Sequence, residues 1–291
     1  MTILGHPNSP WEKISGQNKP GTPVWLWLPG WGFSGHIFRD LFDALDGEHW
    51  IADYRSVDSE FVDMAQHLLT TAPVAESRIW VGWSLGGALA MRAVTRNTES
   101  PPSSAQDRVI TLATGDRFIR PDSLQEGSLQ RDSVQEAAPT EGTPLQGMPK
   151  ADFSAFREAL IQSPNAGIKR FTGLCAKGAD DPRNLMRDLS STLYAADDSA
   201  IQTLNWLEYT ALTANQSEHT LNTQAVDALH IYGTHDALNP IKMTPALCSP
   251  GKSHCFFLET AGRQHLLDTL QSVAANIASA SIKPGGIDAK S

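Results

Sequence analysis

A serine between two glycines is the feature of this 291-residue sequence that most clearly indicates a reactive side chain. The segment GWSLG (82–86) has the spacing G-x-S-x-G, and it separates an apolar run at 78–83, which predicts a buried strand, from an Ala- and Leu-rich run that predicts a helix. A nucleophile on such a tight turn needs glycines two positions away, because strand and helix pass close to each other there. The pattern predicts Ser84 as a nucleophile; the alternative is a serine that only caps the helix.

A serine hydroxyl attacks well only when a base takes its proton, and the base is usually a histidine oriented by a carboxylate. When the nucleophile lies on a strand-to-helix turn, acid and base follow it in that order, each on a loop after a later strand. Two later strands are predicted, at 229–232 and 255–258. Asp236 is the first carboxylate past the end of one, and His265 is the first histidine past the end of the other. We therefore predict Asp236 as the acid and His265 as the base.

Other histidines and carboxylates fit this order less well. His254 precedes the last predicted strand, which would put it at the wrong edge of a parallel sheet, and His230 begins the other strand. His235 is too near Asp236 in the chain to be oriented easily by it. Glu259 remains an alternative acid, although it ends the strand that should deliver the base.

Acyl transfer also needs two preorganised N–H donors for the oxyanion that forms at the attacked carbonyl. Leu85 directly follows the predicted nucleophile, so its backbone N–H is one candidate. The second donor is expected from a loop after an early strand. The loop PGWG (29–32) follows the predicted strand 24–28, and we choose the N–H of Trp31. The alternative is an ordinary glycine turn with Trp31 in the core.

Short apolar runs alternate with helical patterns along the chain, which predicts an α/β fold with a mostly parallel sheet flanked by helices. Between these runs lies a Ser-, Gln-, Glu-, Pro- and Gly-rich stretch, followed by a block of three or four helices without a convincing strand. Such a block commonly covers the carboxyl edge of the sheet, where sites lie in open α/β folds. The expected division is a core at 1–119 and 226–291, a flexible insertion at 120–150 and an inserted helical cap at 151–225.

Composition excludes several classes of function. A net charge of −9 and a pI near 5.4 argue against general binding of nucleic acids or of anionic membranes. Three cysteines without regular spacing predict neither a disulfide framework nor a zinc site. The first residues lack the basic and apolar regions of a signal peptide, and no apolar run has membrane-spanning length. We expect a soluble, cytoplasmic protein that needs no metal or organic cofactor.

With these residues in place, the chain resembles the α/β-hydrolase family, and within it the BioH-type carboxylesterases that act on pimeloyl-[acyl-carrier protein] methyl ester. The likeness covers most of the chain except 121–149 and the tail. It implies the same triad, Ser84, Asp236 and His265, and a helical cap over the acyl chain. The matching segments are LPGWG (28–32), IWVGWSLGG (79–87), IYGTHDALNP (231–240) and AGRQHLL (261–267).

The resemblance also assigns roles to residues of the predicted cap. Phe171 falls at a position that lines the substrate channel in the family, and Arg170, Arg183 and Arg187 fall where the family grips the acidic carrier protein. Charge supports this assignment, because residues 166–187 carry five basic and two acidic side chains in an otherwise acidic chain. The alternative is a solvated helix face.

The sequence therefore predicts a serine carboxylesterase whose substrates are an acyl-carrier protein bearing a pimeloyl methyl ester and small esters. Three alternatives stay open. They are a broad short-chain esterase or thioesterase with the same triad, a lyase on the same scaffold that forms no acyl-enzyme, and a binding protein without catalytic activity.

Overall fold

The computed structural model describes residues 9–17, 19–56, 59–97, 106–115, 117–119, 147–195, 197–210, 226, 228–238 and 246–281. Most of the predicted insertion, the end of the predicted cap at 211–225 and the C-terminal tail lie outside these residues. The division into core, insertion and cap stays a proposal, and the helical block is called the cap below.

One seven-stranded sheet forms the centre of the described residues, in the order β1-β3-β2-β4-β5-β6-β7. All neighbouring strands pair in parallel except β1, which is antiparallel to β3. The predicted α/β fold with a mostly parallel sheet is thus confirmed. The strands are β1 (Trp11–Ser15), β2 (Val24–Leu28), β3 (Glu48–Ala52), β4 (Ser77–Trp83), β5 (Gln106–Leu112), β6 (Ala228–Gly233) and β7 (Ala246–Ser249).

The two central strands are apolar almost throughout because both faces of the sheet are covered. Every residue of β2 (VWLWL) and of β4 (SRIWVGW) is buried. Continuous apolar runs of this kind are typical of parallel strands packed on both faces, whereas a half-exposed strand would alternate. The carboxyl ends of β2 and β4 therefore lie side by side, which brings the PGWG loop next to Ser84.

Helices connect these strands and also form the cap. No helix in the described ranges is long and apolar enough to cross a membrane. The helices are α1 (Arg39–Phe42), α2 (Phe61–Thr70), α3 (Leu85–Asn97), α4 (Lys150–Gln162), α5 (Pro164–Ala176), α6 (Pro182–Ser190), α7 (Asp198–Asn205) and α8 (Thr260–Ser281), with short 3-10 turns at Gly35–Phe38, Tyr54–Ser56, Trp206–Tyr209 and Phe256–Leu258. Helices α4 to α7 follow β5 and precede β6, so they are inserted into the sheet domain.

The last strand lies nine residues earlier in the chain than its predicted start. The apolar run 255–258 was expected to be this strand, but residues 256–258 form a 3-10 turn and the strand is Ala246–Ser249. Phe256 and Phe257 are fully buried, so their apolar character reflects core packing. A short apolar run does not distinguish a strand from another buried segment, and Pro250-Gly251 marks the turn that ends the true strand.

Backbone and indole hydrogen bonds attach the cap to the PGWG loop after β2. Residues Phe33 and Leu193 pair as an antiparallel β-bridge. Three further hydrogen bonds connect the same two segments and α7. They run from Trp31 Nε1 to Ala200 O (2.8 Å), from Ser34 N to Thr192 O (2.8 Å) and from Tyr194 N to Gly32 O (2.9 Å).

A buried ion pair joins the first halves of β4 and β5. Arg78 and Asp107 are directly paired in register, with Nε–Oδ1 and Nη2–Oδ2 distances of 2.7 Å, and their side chains are 7% and 4% exposed. Trp80 Nε1 donates to the same carboxylate at 2.8 Å. The carboxylate therefore satisfies two buried donor groups at once.

We expect Asp107→Ala to lower the free energy of unfolding by about 3–5 kcal/mol, because it leaves the Arg78 charge buried and unpaired. Urea unfolding followed by circular dichroism measures this change. Asp188→Ala is the matched control, since Asp188 pairs with Arg187 at the surface and its loss should cost less than about 1 kcal/mol. Equal effects of the two substitutions would contradict the analysis.

Candidate active site

Ser84 lies at the joint between β4 and α3 in a backbone conformation that non-glycine residues rarely adopt. Its φ is +54°, in the left-handed region. The Ser84 N–H donates to the Leu112 carbonyl oxygen (2.8 Å), and the Ser84 carbonyl accepts from Thr114 Oγ1 (3.0 Å). These bonds to the end of β5 hold the strained residue in place, so its side chain stands at the carboxyl edge of the sheet.

The flanking glycines are required by close backbone contacts. A Cβ atom at Gly86 would collide with the carbonyl oxygens of Leu28 and Pro29 at the end of β2. A Cβ atom at Gly82 would collide with the carbonyl oxygen of Gly86. The spacing G-x-S-x-G is thus explained by the approach of β2 and α3 to the turn that carries Ser84.

The imidazole that contacts Asp236 belongs to His254. Its Nδ1 lies 2.8 Å from Asp236 Oδ2, and both side chains are 1% exposed. The other carboxylate oxygen, Oδ1, accepts from the Leu238 N–H at 2.8 Å. Because a carboxylate only accepts hydrogen bonds, His254 Nδ1 carries the proton, and the neutral ring then has its lone pair on Nε2.

His254 Nε2 is buried and has no hydrogen-bond partner within the described residues, and His254 lines the same cleft as Ser84. This ring therefore has the orientation of a general base, with Nδ1 held by a carboxylate and Nε2 available to the serine. The prediction of Asp236 as the acid agrees with this geometry.

The pairing of Asp236 with His265 is wrong. His265 lies in α8, where its carbonyl oxygen accepts from Thr269 Oγ1, and it is absent from the described lining of the cleft. The error follows from the misplaced last strand. Since that strand ends at Ser249, His254 lies after it on the correct edge of the sheet, and the turn signal Pro250-Gly251 would have revealed this order.

A carboxylate on the opposite side holds the loop that carries His254. Glu259 Oε1 accepts from Ser253 N (2.8 Å), Ser253 Oγ (2.7 Å) and Lys252 N (3.1 Å). Trp83, the residue before Ser84, donates from Nε1 to the His254 carbonyl oxygen (3.0 Å). Glu259 therefore stabilises the backbone of this loop, whereas Asp236 binds the imidazole of His254.

Cys255, next to His254, is not a competing nucleophile. Burial raises the pKa of its thiol well above the usual value, and a hydrogen bond with Cys175 of α5 acts in the same direction. The thiol is therefore protonated at neutral pH, and a thiol is a much weaker nucleophile than a thiolate.

The backbone N–H groups of Leu85 and Trp31 are both available at the carboxyl edge. Leu85 is the first residue of α3, so its N–H has no acceptor within the helix. Trp31 uses its indole for Ala200, and its backbone N–H makes no hydrogen bond within the described part of the chain. The structure is consistent with both predicted oxyanion donors.

A small cleft with a volume of about 20 Å³ opens at Ser84. Its walls come from α3, the segment after β5, the end of the cap and the loops after β6 and β7. The described lining residues are Ser84, Leu85, Ala88, Ala113, Thr114, Gly115, Arg117, Phe118, Leu207, Thr210, Leu238 and His254.

The predicted cap residues occupy two different environments. Phe171 is buried and packs edge-on against Trp31, with ring centroids 4.8 Å apart, and it is not among the described lining residues of the cleft. Its role as a channel residue stays a prediction. Arg170, Arg183 and Arg187 are all exposed, on α5 and α6.

Curated proteins of known name are similar to most of this chain. The chain is 27% identical over 251 residues to the pimeloyl-[acyl-carrier protein] methyl ester esterase of Vibrio atlanticus, covering 80% of this chain and 83% of that protein. It is also 27% identical over 252 residues to the biotin biosynthesis bifunctional protein BioHC of Teredinibacter turnerae, covering 81% of this chain but only 40% of that longer protein.

Solved structures share the fold at lower identity. An esterase from Exiguobacterium antarcticum superposes with a TM-score of 0.61 at 17% identity, covering 91% of this chain and 94% of that one. A bromoperoxidase from Bacillus anthracis gives a TM-score of 0.60, also at 17% identity and with the same coverage. Residues 25–265 match the alpha/beta hydrolase family, and this range contains Ser84, Asp236 and His254. The chain therefore belongs to the alpha/beta hydrolase family.

Proposed function

We propose that this chain is a serine carboxylesterase that hydrolyses the methyl ester of pimeloyl-[acyl-carrier protein] in biotin synthesis through an acyl-enzyme. The observation that carries the proposal is the 2.8 Å hydrogen bond between His254 Nδ1 and Asp236, which leaves His254 Nε2 unpartnered at the cleft of Ser84.

In the proposed reaction, His254 Nε2 takes the proton of the Ser84 hydroxyl as its oxygen attacks the ester carbonyl. Asp236 stabilises the imidazolium that forms. The N–H groups of Leu85 and Trp31 donate to the oxyanion, and each such donor contributes about 3–4 kcal/mol of barrier lowering. His254 then returns the proton to the departing methoxide, which leaves as methanol. Water, deprotonated by His254, releases the free carboxylic acid from Ser84.

The substrate class rests on the relatives and on charge. The Vibrio relative bears the name of a pimeloyl-[acyl-carrier protein] methyl ester esterase, and its length matches that of this chain. Arg170, Arg183 and Arg187 are exposed on the cap of a chain with net charge −9. A basic surface on an acidic protein favours encounter with an acidic partner such as a carrier protein.

A broad short-chain esterase or thioesterase is the second candidate, and the size of the cleft favours it. The described lining residues enclose about 20 Å³, far below the volume of typical ligand pockets, so this cleft suits a short acyl group better than a long one.

We expect His254→Ala to lower kcat for p-nitrophenyl butyrate about a thousandfold or more, because the serine loses its base. His265→Ala is the matched control and should change kcat less than about threefold, since the carboxylate of Asp236 is hydrogen-bonded to His254. Steady-state kinetics measures both, and labelling with a fluorophosphonate that is lost in Ser84→Ala identifies the nucleophile. Retained activity in His254→Ala would refute the mechanism.

We expect Glu259→Ala to lower kcat about tenfold to a hundredfold with little change in KM, because the loop of His254 loses three hydrogen bonds and the imidazole shifts. Glu259→Gln retains an oxygen acceptor and should recover most of this loss. Glu158→Gln, at an exposed position of α4, controls for loss of charge. If both substitutions at 259 reduce only thermal stability, Glu259 has no positioning role.

Charge reversal on the cap separates the two candidate substrates. For Arg183→Glu combined with Arg187→Glu, we expect the ratio of kcat/KM for the carrier-linked ester to that for p-nitrophenyl butyrate to fall at least tenfold. Arg39→Glu, at an exposed position of α1, should leave this ratio unchanged. An unchanged ratio in the double variant would favour the short-chain esterase.

A further inference from the structure

One arginine faces the cleft of Ser84 without a partner among the residues that the structure describes. Among the described lining residues, Arg117 carries the one permanent charge, His254 is titratable, and the others are apolar or neutral. A cation whose guanidinium is partly buried is costly unless an anion or hydrogen-bond acceptors accompany it. Arg117 is therefore the residue of the cleft that most needs an explanation beyond ester hydrolysis.

The guanidinium of Arg117 is unusual in having no acceptor. Its Nε is buried without a hydrogen-bond partner, and none of its nitrogens donates to, or pairs with, a group of the described chain. Other partly buried arginines do have carboxylates, as Arg78 has Asp107 and Arg263 has Asp40, each at 2.7 Å. The donors of Arg117 are thus uncommitted beside the predicted nucleophile.

Hydrogen bonds on two sides hold the backbone next to Arg117, which fixes the position from which its side chain extends. The Phe118 N–H donates to Thr210 Oγ1 (3.2 Å) at the end of the cap, and the Phe118 carbonyl accepts from the Met148 N–H (2.8 Å) before α4. These contacts fix the segment after β5 between the sheet edge and the cap.

We propose that Arg117 forms a carboxylate-binding subsite beside Ser84. The planar guanidinium matches a carboxylate with two parallel N–H···O bonds, and such charge-assisted pairs are among the stronger hydrogen bonds in proteins. The inference rests on the proposed function, because ester hydrolysis at Ser84 is the reaction that brings carboxylates into this cleft.

Two carboxylates have this chemistry. One is the carboxylate released from the scissile ester, in which case Arg117 retains the product. The other is a second carboxylate on the acyl group, in which case Arg117 selects half-esters of dicarboxylic acids. The two sources are distinguished by binding measurements. A product site favours a simple carboxylate over its amide, and a second-carboxylate site favours a half-ester over an ester without a second carboxylate.

Binding to the Ser84→Ala variant, which does not turn over, tests the subsite by titration calorimetry. A product site predicts that heptanoate binds at least tenfold more tightly than heptanamide. A second-carboxylate site predicts that monomethyl pimelate binds at least tenfold more tightly than methyl heptanoate. In either case the preference should disappear when Arg117→Met is added, and it should persist with Arg157→Met, a change at an exposed arginine of α4.

Arg117→Lys is the second variant if Arg117→Met fails to fold, and it should keep the charge but lose most of the preference because an ammonium lacks the bidentate fork. Absence of both preferences in Ser84→Ala, or their persistence after substitution of Arg117, would overturn the proposal. This outcome is distinct from failure of the proposed function, which the kinetics of the His254 and His265 variants decides.

Discussion

The left-handed backbone at Ser84 is the constraint on which the site depends. A residue with a side chain takes this conformation only when its surroundings over-determine it, and here β2, β5 and α3 all do so through close backbone contacts. The turn directs the hydroxyl away from the sheet, and it places the first N–H of α3 beside it. The same packing that strains the residue thus also positions the Leu85 N–H that we propose as an oxyanion donor.

The sequence was sufficient for the parts of the site that depend on local pattern. The glycine spacing around Ser84, the loop with Trp31 and the acid Asp236 each follow a strand whose apolar run is unambiguous. The apolar pattern alone selected the wrong histidine, because CFFL (255–258) is as apolar as a strand and the true strand, ALCS (246–249), has the same length and is less apolar. Burial is a tertiary property, and composition alone does not say which backbone geometry delivers it. Glu259 shows the same limit, since its carboxylate acts on a loop whose path the sequence does not reveal.

Architecture and activity are separable in this fold. Structures with TM-scores near 0.6 include both an esterase and a bromoperoxidase, so the sheet and helices are compatible with different reactions. What distinguishes this chain lies on the loops at the carboxyl edge. A guanidinium without a partner in the described ranges follows β5, and a loop held by Glu259 and Trp83 follows β7. Binding residues on such loops can change without disturbing the sheet that positions them.

The hydrogen bonds between the cap and the PGWG loop couple the position of the cap to the position of the Trp31 N–H. The same loop that presents the Trp31 N–H is bonded to Ala200 and to the strand-like segment around Leu193. Separation of the cap from this loop would break these bonds and release the loop that carries the proposed oxyanion donor, the Trp31 N–H. A molecule whose cap is open at this contact would therefore be unable to catalyse acyl transfer until the cap closes again.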